Sequence, residues 1–201
     1  MIRCKQKRPS ADKTRHTILQ VATRLFAKHG FAGTSMRDIA QTAQVSLNLI
    51  THHYESKKNL WKQVRLNMAN KFEHFCGAKT RQEPSDLKMF LERAVSNLFG
   101  FWQKHPEALR ILNWQRLEAK QKSLMITSGS YSLHLQEVIG ALQTRGQVRQ
   151  DVDADIILLL IFSTIHGALE ESSVVFQENK AHKQKTYLQL AADSLYKALK
   201  T

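Results

Sequence analysis

Helix breakers are scarce in this chain of 201 residues, which has three prolines and eight glycines. That scarcity excludes collagen-like and low-complexity classes, and with 42% hydrophobic and 23% charged residues it favours an ordered protein of long helices. Cysteine is nearly absent too. Cys4 and Cys76 have no metal-ligand spacing and make no disulfide framework, so a reduced, cytoplasmic setting is expected. No apolar run reaches membrane-spanning length: the stretch from Ile156 to Ile165 is interrupted by Ser163 and Thr164, and His166 and two glutamates follow it. The basic amino terminus lacks a following apolar stretch, so no secretory signal is expected.

Other absences narrow the function. No alternating strand pattern and no internal repeat occurs, which leaves an all-α fold. There is no GxSxG, Walker or Rossmann signature, and the nine histidines form no HExxH or paired metal spacing. The sequence is therefore expected to encode neither an enzyme nor a metal or cofactor site.

What is present is positive charge, unevenly placed. The formal net charge is +13, and residues 1–75 hold 14 Lys and Arg against 4 Asp and Glu, a balance of +10. Neutralising phosphates releases condensed counterions, so a basic segment of this kind suits a polyanionic partner.

The same segment contains SMRDIAQTAQVSLNLITHHYESK, from Ser35 to Lys57. Ser35 and Asp38 have the spacing of a capping box, and Ile39, Ala40 and Ala43 form an inward stripe. Val45 plugs a turn, Ser46 caps a second helix, and Ile50 and Tyr54 anchor that helix from within. Leu47, Asn48, Leu49, Thr51 and His52 are left on or near the outward face. Small Ala40, apolar Val45 and aliphatic Ile50 occur in the order that a helix-turn-helix requires, and its second helix reads a DNA groove.

Periodicity supplies the rest. Residues MIRCKQKRPSADKTR read as a mobile arm able to lie along phosphates or enter a minor groove. A first helix from about Ala11 carries Ile18, Ala22, Leu25 and Phe26 and stops at Gly30. Ser56 caps a fourth helix with an apolar stripe of Leu60, Val64, Met68, Phe72 and Phe75. Charged residues from Ala78 to Asp86, with Pro84, separate it from a fifth helix, which ends before His105 and Pro106. Pro106 starts a sixth helix. A seventh runs from Leu124 to Leu142, with a bend at Ser128, Gly129 and Ser130. An eighth, capped by Asp153, extends to about Phe176, and a ninth presents Leu188, Ala191, Ala192, Leu195 and Leu199; these two helices are expected to hold a two-fold dimer, Ser163 and Gly167 permitting a close crossing and Leu188, Ala191, Leu195 and Leu199 supplying a self-complementary stripe. Nine helices in two domains are expected, divided at 1–56 and 57–201.

Over residues 11–64 the chain resembles the TetR family of transcriptional regulators. The likeness rests on TRLFAKHGFAGTSMRDIAQTAQVS and HHYESKKNLW, and more weakly on FWQKHPEALRIL and VRQDVDADI. It implies a three-helix DNA-binding head and a larger helical bundle that dimerises and holds an effector. Where the motif matches, Ser35 and Arg37 touch phosphate at the start of the second helix, His53 from the third, and Lys57 from the start of the fourth. The sequence departs from the family at Gln44, where glycine is usual and a mildly strained turn results, and at Thr51, where an aromatic residue is common.

Within the bundle, Trp102, Trp114, Phe162 and His166 are candidate effector contacts, although aromatic residues at helical spacing most often form core. The expected partners are a double-stranded DNA operator, a second copy of the chain and an unidentified small-molecule effector, with no membrane. Two other readings stand beside a ligand-responsive repressor: a regulator answering to a protein partner or to no effector, and a non-specific DNA-binding protein.

Overall fold

The computed structural model describes residues 11–77, 83–118 and 130–201. The expected arm with Cys4, Lys5, Lys7 and Arg8, the charged stretch 78–82, and the start and bend of the seventh helix at 124–129 lie outside the described residues. Helices α1 (Ala11–His29), α2 (Met36–Ala43), α3 (Leu47–Tyr54), α4 (Lys57–Gly77), α5 (Leu87–Lys104), α6 (Pro106–Glu118), α7 (Ser130–Thr144), α8 (Ala154–Glu170), α9 (Ser172–Val175) and α10 (Lys180–Leu199) follow in order, and no strand occurs among the described residues.

The described chain forms two compact units. One comprises residues 11–68 and 107–118; the other comprises the described residues of 69–106 and 130–201. The expected division after residue 56 is thus not where compactness parts: the early turns of α4 and all of α6 after Pro106 belong with the head.

In the first unit, Ile18, Val21, Ala22 and Phe26 of α1 are buried with Ile39 and Ala40 of α2, Ile50 and Tyr54 of α3, and Leu60, Val64 and Met68 of α4. These residues recur every three or four positions, so each helix removes one stripe from water. Gly30 ends α1 at φ 72°, as its position suggests. Phe31 then folds back, its ring 6.3 Å from Phe26 and 6.1 Å from Trp61.

In the second unit, Phe72 is the hub, with ring centroids at 4.9 Å to Phe101, 5.3 Å to Tyr131, 6.1 Å to Trp102 and 6.4 Å to Phe162. Asp86 caps α5 by accepting from the Met89 amide at 2.8 Å.

Two expectations are corrected here. The eighth helix stops at Glu170 rather than near Phe176, and the short α9 follows. Glu170 and Glu171 oppose the negative end of the helix dipole, and Phe176 is drawn inward against Phe99 and Tyr187 at 6.4 and 6.0 Å. Asp153 occupies the N-cap position of α8, but its side chain makes no capping bond.

The second correction concerns α10. Its apolar stripe was expected to face a partner, yet Ala191, Ala192, Leu195 and Leu199 are buried within this chain, where α10 packs on α5. An uncovered apolar face lies on α8. Ile156, Leu159 and Leu160 are about half exposed there, and Ser163 and Gly167 are exposed beyond them, with nothing within 4 Å of where a Gly167 side chain would begin.

Candidate nucleic-acid interface

Local chemistry builds the helix-turn-helix. Ser35 Oγ accepts from the Asp38 amide at 3.1 Å, while Asp38 Oδ2 accepts from the Ser35 amide at 2.9 Å and from its hydroxyl at 2.7 Å. Both halves of the capping box are therefore closed at the start of α2. These bonds hold the Asp38 carboxyl below its ordinary value, the Ser35 hydroxyl contributing most. A carboxylate with a depressed pKa stabilises the fold above its ordinary range, and that contribution is lost as pH falls through the lowered value.

The turn follows from Gln44. Its φ of 54° and ψ of 44° are left-handed, and its amide closes α2 by donating to Ala40 and Gln41 carbonyls. The Val45 amide donates to Ala40 O at 3.1 Å, and Ser46 Oγ receives the Leu49 amide at 3.2 Å to start α3. Tyr54, fully buried, donates its hydroxyl to Arg15 O at 2.8 Å and fixes α3 against α1. Burial pushes this phenol above its ordinary value.

With Ile50 and Tyr54 inside, Leu47, Asn48, Thr51 and His52 are exposed on the opposite face of α3, and Leu49 and His53 are half-buried at its margin. Thr51 Oγ1 donates to Leu47 O at 3.1 Å, so its hydroxyl keeps only its acceptor capacity for another partner. The His52 and His53 rings meet edge-on at 5.3 Å. Arg37 is exposed on the first turn of α2, beside the amides that the helix start presents.

Lys57, expected to touch phosphate, also has partners within the chain. Its Nζ donates to Thr34 O at 2.9 Å and stands 4.3 Å from the centre of the Phe31 ring. It is a clamp on the segment between α1 and α2, with two remaining N–H bonds for other acceptors.

The four expected effector contacts do not form one group. Trp114 belongs to the first compact unit and the other three to the second: its indole N–H donates to Ala27 O at 3.3 Å, and it packs at Gly30. Its role there is to close the end of α1. Trp102 and Phe162 are buried in the aromatic cluster around Phe72. His166 Nδ1 lies 3.7 Å from Glu170 Oε1, one turn along α8. No His, Cys, Asp or Glu group able to hold a metal occurs among the described residues, and none of the described helices is long and apolar enough to cross a membrane.

Three residues escaped sequence reading. Glu118 accepts from the amides of Phe31 and Ala32 at 2.8 and 3.2 Å, across 87 and 86 positions of chain. Trp61 and Arg65 line a cavity in the same unit. None has a local signal, because their partners are set by packing.

The family model described as bacterial regulatory proteins of the tetR family matches residues 18–64, and that of the tetracycline repressor-like C-terminal domain matches residues 86–192. The HTH-type transcriptional repressor NicS of Pseudomonas putida is 29% identical over 158 residues, covering 76% of this chain and 74% of its own length. A probable acrEF/envCD operon repressor of Escherichia coli is 25% identical over 176 residues, covering 83% and 79%. Among solved structures, a TetR family transcription regulator from Marinobacter aquaeolei superimposes with a TM-score of 0.77 at 21% identity, covering 94% of this chain and 96% of its own.

Proposed function

The chain belongs to the TetR family of DNA-binding transcriptional regulators, and from that premise we propose that it is a ligand-responsive repressor acting in the cytoplasm as a homodimer on a specific operator. The observation that carries the reading is the closed capping box at Ser35 and the left-handed turn at Gln44, which together present the polar face of α3. Leu47, Asn48, Leu49, Thr51 and His52 read base edges, with the Asn48 amide suited to adenine. Ser35 and Arg37 at the start of α2, His53, and Lys57 through its remaining donors hold phosphates. The curated relatives named above are repressors, which supports repression as the mode.

Family members dimerise. For this chain the uncovered α8 stripe of Ile156, Leu159, Leu160, Ser163 and Gly167 supports a self-complementary contact, since an isologous interface needs one patch used twice. The unit that holds the helix-turn-helix serves as the DNA-binding head, and the second unit, with α5, α7, α8 and α10, as the dimerisation and effector-binding body. An effector near Trp102, Phe162 and His166 acts on DNA through α4, whose buried stripe from Leu60 to Cys76 contributes to both compact units.

Competition binding tests the reading: a site upstream of the gene or its neighbours should be preferred over random duplex by roughly 10³-fold or more. Equal affinity for random duplex would support the non-specific DNA-binding alternative. For the switch, an effector that lowers operator affinity must by linkage bind more weakly in the presence of saturating operator, by the same factor. Absence of any stabilising ligand in a metabolite screen would favour a regulator that answers to a protein partner or to none.

A further inference from the structure

Within the head unit lies a cavity of about 670 Å³, a volume in the range of small-molecule sites, walled by Phe31, Trp61 and Arg65 and flanked by Lys58, Lys62 and Glu118. Its chemistry is unbalanced. The Arg65 side chain makes no hydrogen bond or ion pair among the described residues, and its Nε is shut away from water with no accepting atom. Desolvation lowers its pKa, the direction expected of a cation that has lost part of its water. Glu118 does not compensate, because its carboxylate is occupied by the Phe31 and Ala32 amides.

Lys58, Lys62 and Arg65 follow at spacings of four and three on α4, so the three cations share one side of the helix. Beside them, the rings of Phe31 and Trp61 stand 6.1 Å apart and give an apolar wall. A guanidinium with no partner among the described residues, next to an aromatic wall, suits a planar body bearing one carboxylate, which its two terminal nitrogens can hold through parallel N–H bonds, the enclosed Nε being out of a ligand's reach. A dianion is disfavoured, since the Glu118 charge and the lining Glu55 stand at the same cavity.

We propose that this cavity is a binding site for an aromatic monocarboxylate, its ring against Trp61 and Phe31 and its carboxylate on Arg65. The site is separate from the candidate contacts at Trp102, Phe162 and His166. Glu55 and Ser56, at the junction of α3 and α4, also line it, which gives an occupant direct contact with the turn that follows the recognition helix. Binding itself does not depend on the DNA-binding reading, so its test contains no DNA.

Calorimetric titration of the full chain with 2-naphthoate should give saturable binding at one ligand per chain. The neutral amide 2-naphthamide, and acetate, should each bind at least about tenfold more weakly, for want of the charge and of the ring respectively. Arg65→Met should weaken 2-naphthoate by about tenfold or more, with circular dichroism verifying that the variant is folded. Should that variant not fold, Arg65→Lys, which keeps the charge and loses the fork, should still weaken binding severalfold. No saturable binding up to about 10 mM, equal affinity for the amide, or unchanged affinity in the folded Arg65 variant would each overturn the proposal.

Discussion

The carboxylate of Glu118, the last residue of α6, accepts the backbone amide of Phe31 at 2.8 Å. A glutamate at a helix carboxyl terminus opposes the dipole, so its place there is explained by the two amides that it receives from the chain leaving α1. Glu118→Ala should lower the unfolding free energy by about 1 kcal/mol, the contact being exposed, as measured by urea titration. Gly30→Ala should cost more than about 1 kcal/mol, because φ is 72° and the added carbon would meet Trp114 at 2.7 Å and Glu118 closer still. Wild-type stability in Gly30→Ala would remove this account of the corner.

Gln44→Gly should stabilise the protein by roughly 0.5 kcal/mol. The left-handed φ of 54° disfavours a side chain, and glycine adopts it freely, with part of the gain offset by its larger entropy loss on folding. A lower melting temperature in this variant would show that the glutamine side chain contributes more than the strain costs.

Asn48 and Arg37 should separate in their effects on DNA. Asn48→Ala, at an exposed position, should cost about 1 to 3 kcal/mol on operators carrying the base it reads and little on others. Arg37→Gln should weaken every sequence alike and reduce the salt slope by about one. A uniform loss for Asn48→Ala across operator variants would take it out of base reading. Lys57→Ala should lower thermal stability as well as affinity, since its Nζ holds Thr34 O.

Leu160→Glu should dissociate the proposed dimer. Leu160 is 45% exposed on the uncovered α8 face, and burying such a side chain on each of two copies is worth a few kcal/mol, so the dimer dissociation constant should rise by about 100-fold or more. Sedimentation reads this directly, and operator affinity should fall with it. A variant that stays dimeric at micromolar concentration would place the contact elsewhere.

The sequence by itself determined whatever rests on neighbours three or four residues away. The capping box of Ser35 and Asp38, the left-handed turn at Gln44, the stop at Gly30 and the inward anchors Ile50 and Tyr54 were all legible, because caps, turns and helical stripes are satisfied within one or two turns of chain. Only the tertiary structure decided which apolar stripe faces which partner. Leu195 and Leu199 are spent on the core, while Leu159 and Leu160 of α8 are left outside, although both sets have helical spacing. It likewise gave Trp114 to Ala27, Lys57 to Thr34 and Glu118 to Phe31, and left Arg65 without an acceptor among the described residues. A side chain's periodicity says that it is covered, whereas its covering residue depends on how distant helices pack, and that information is not carried by any local stretch of sequence.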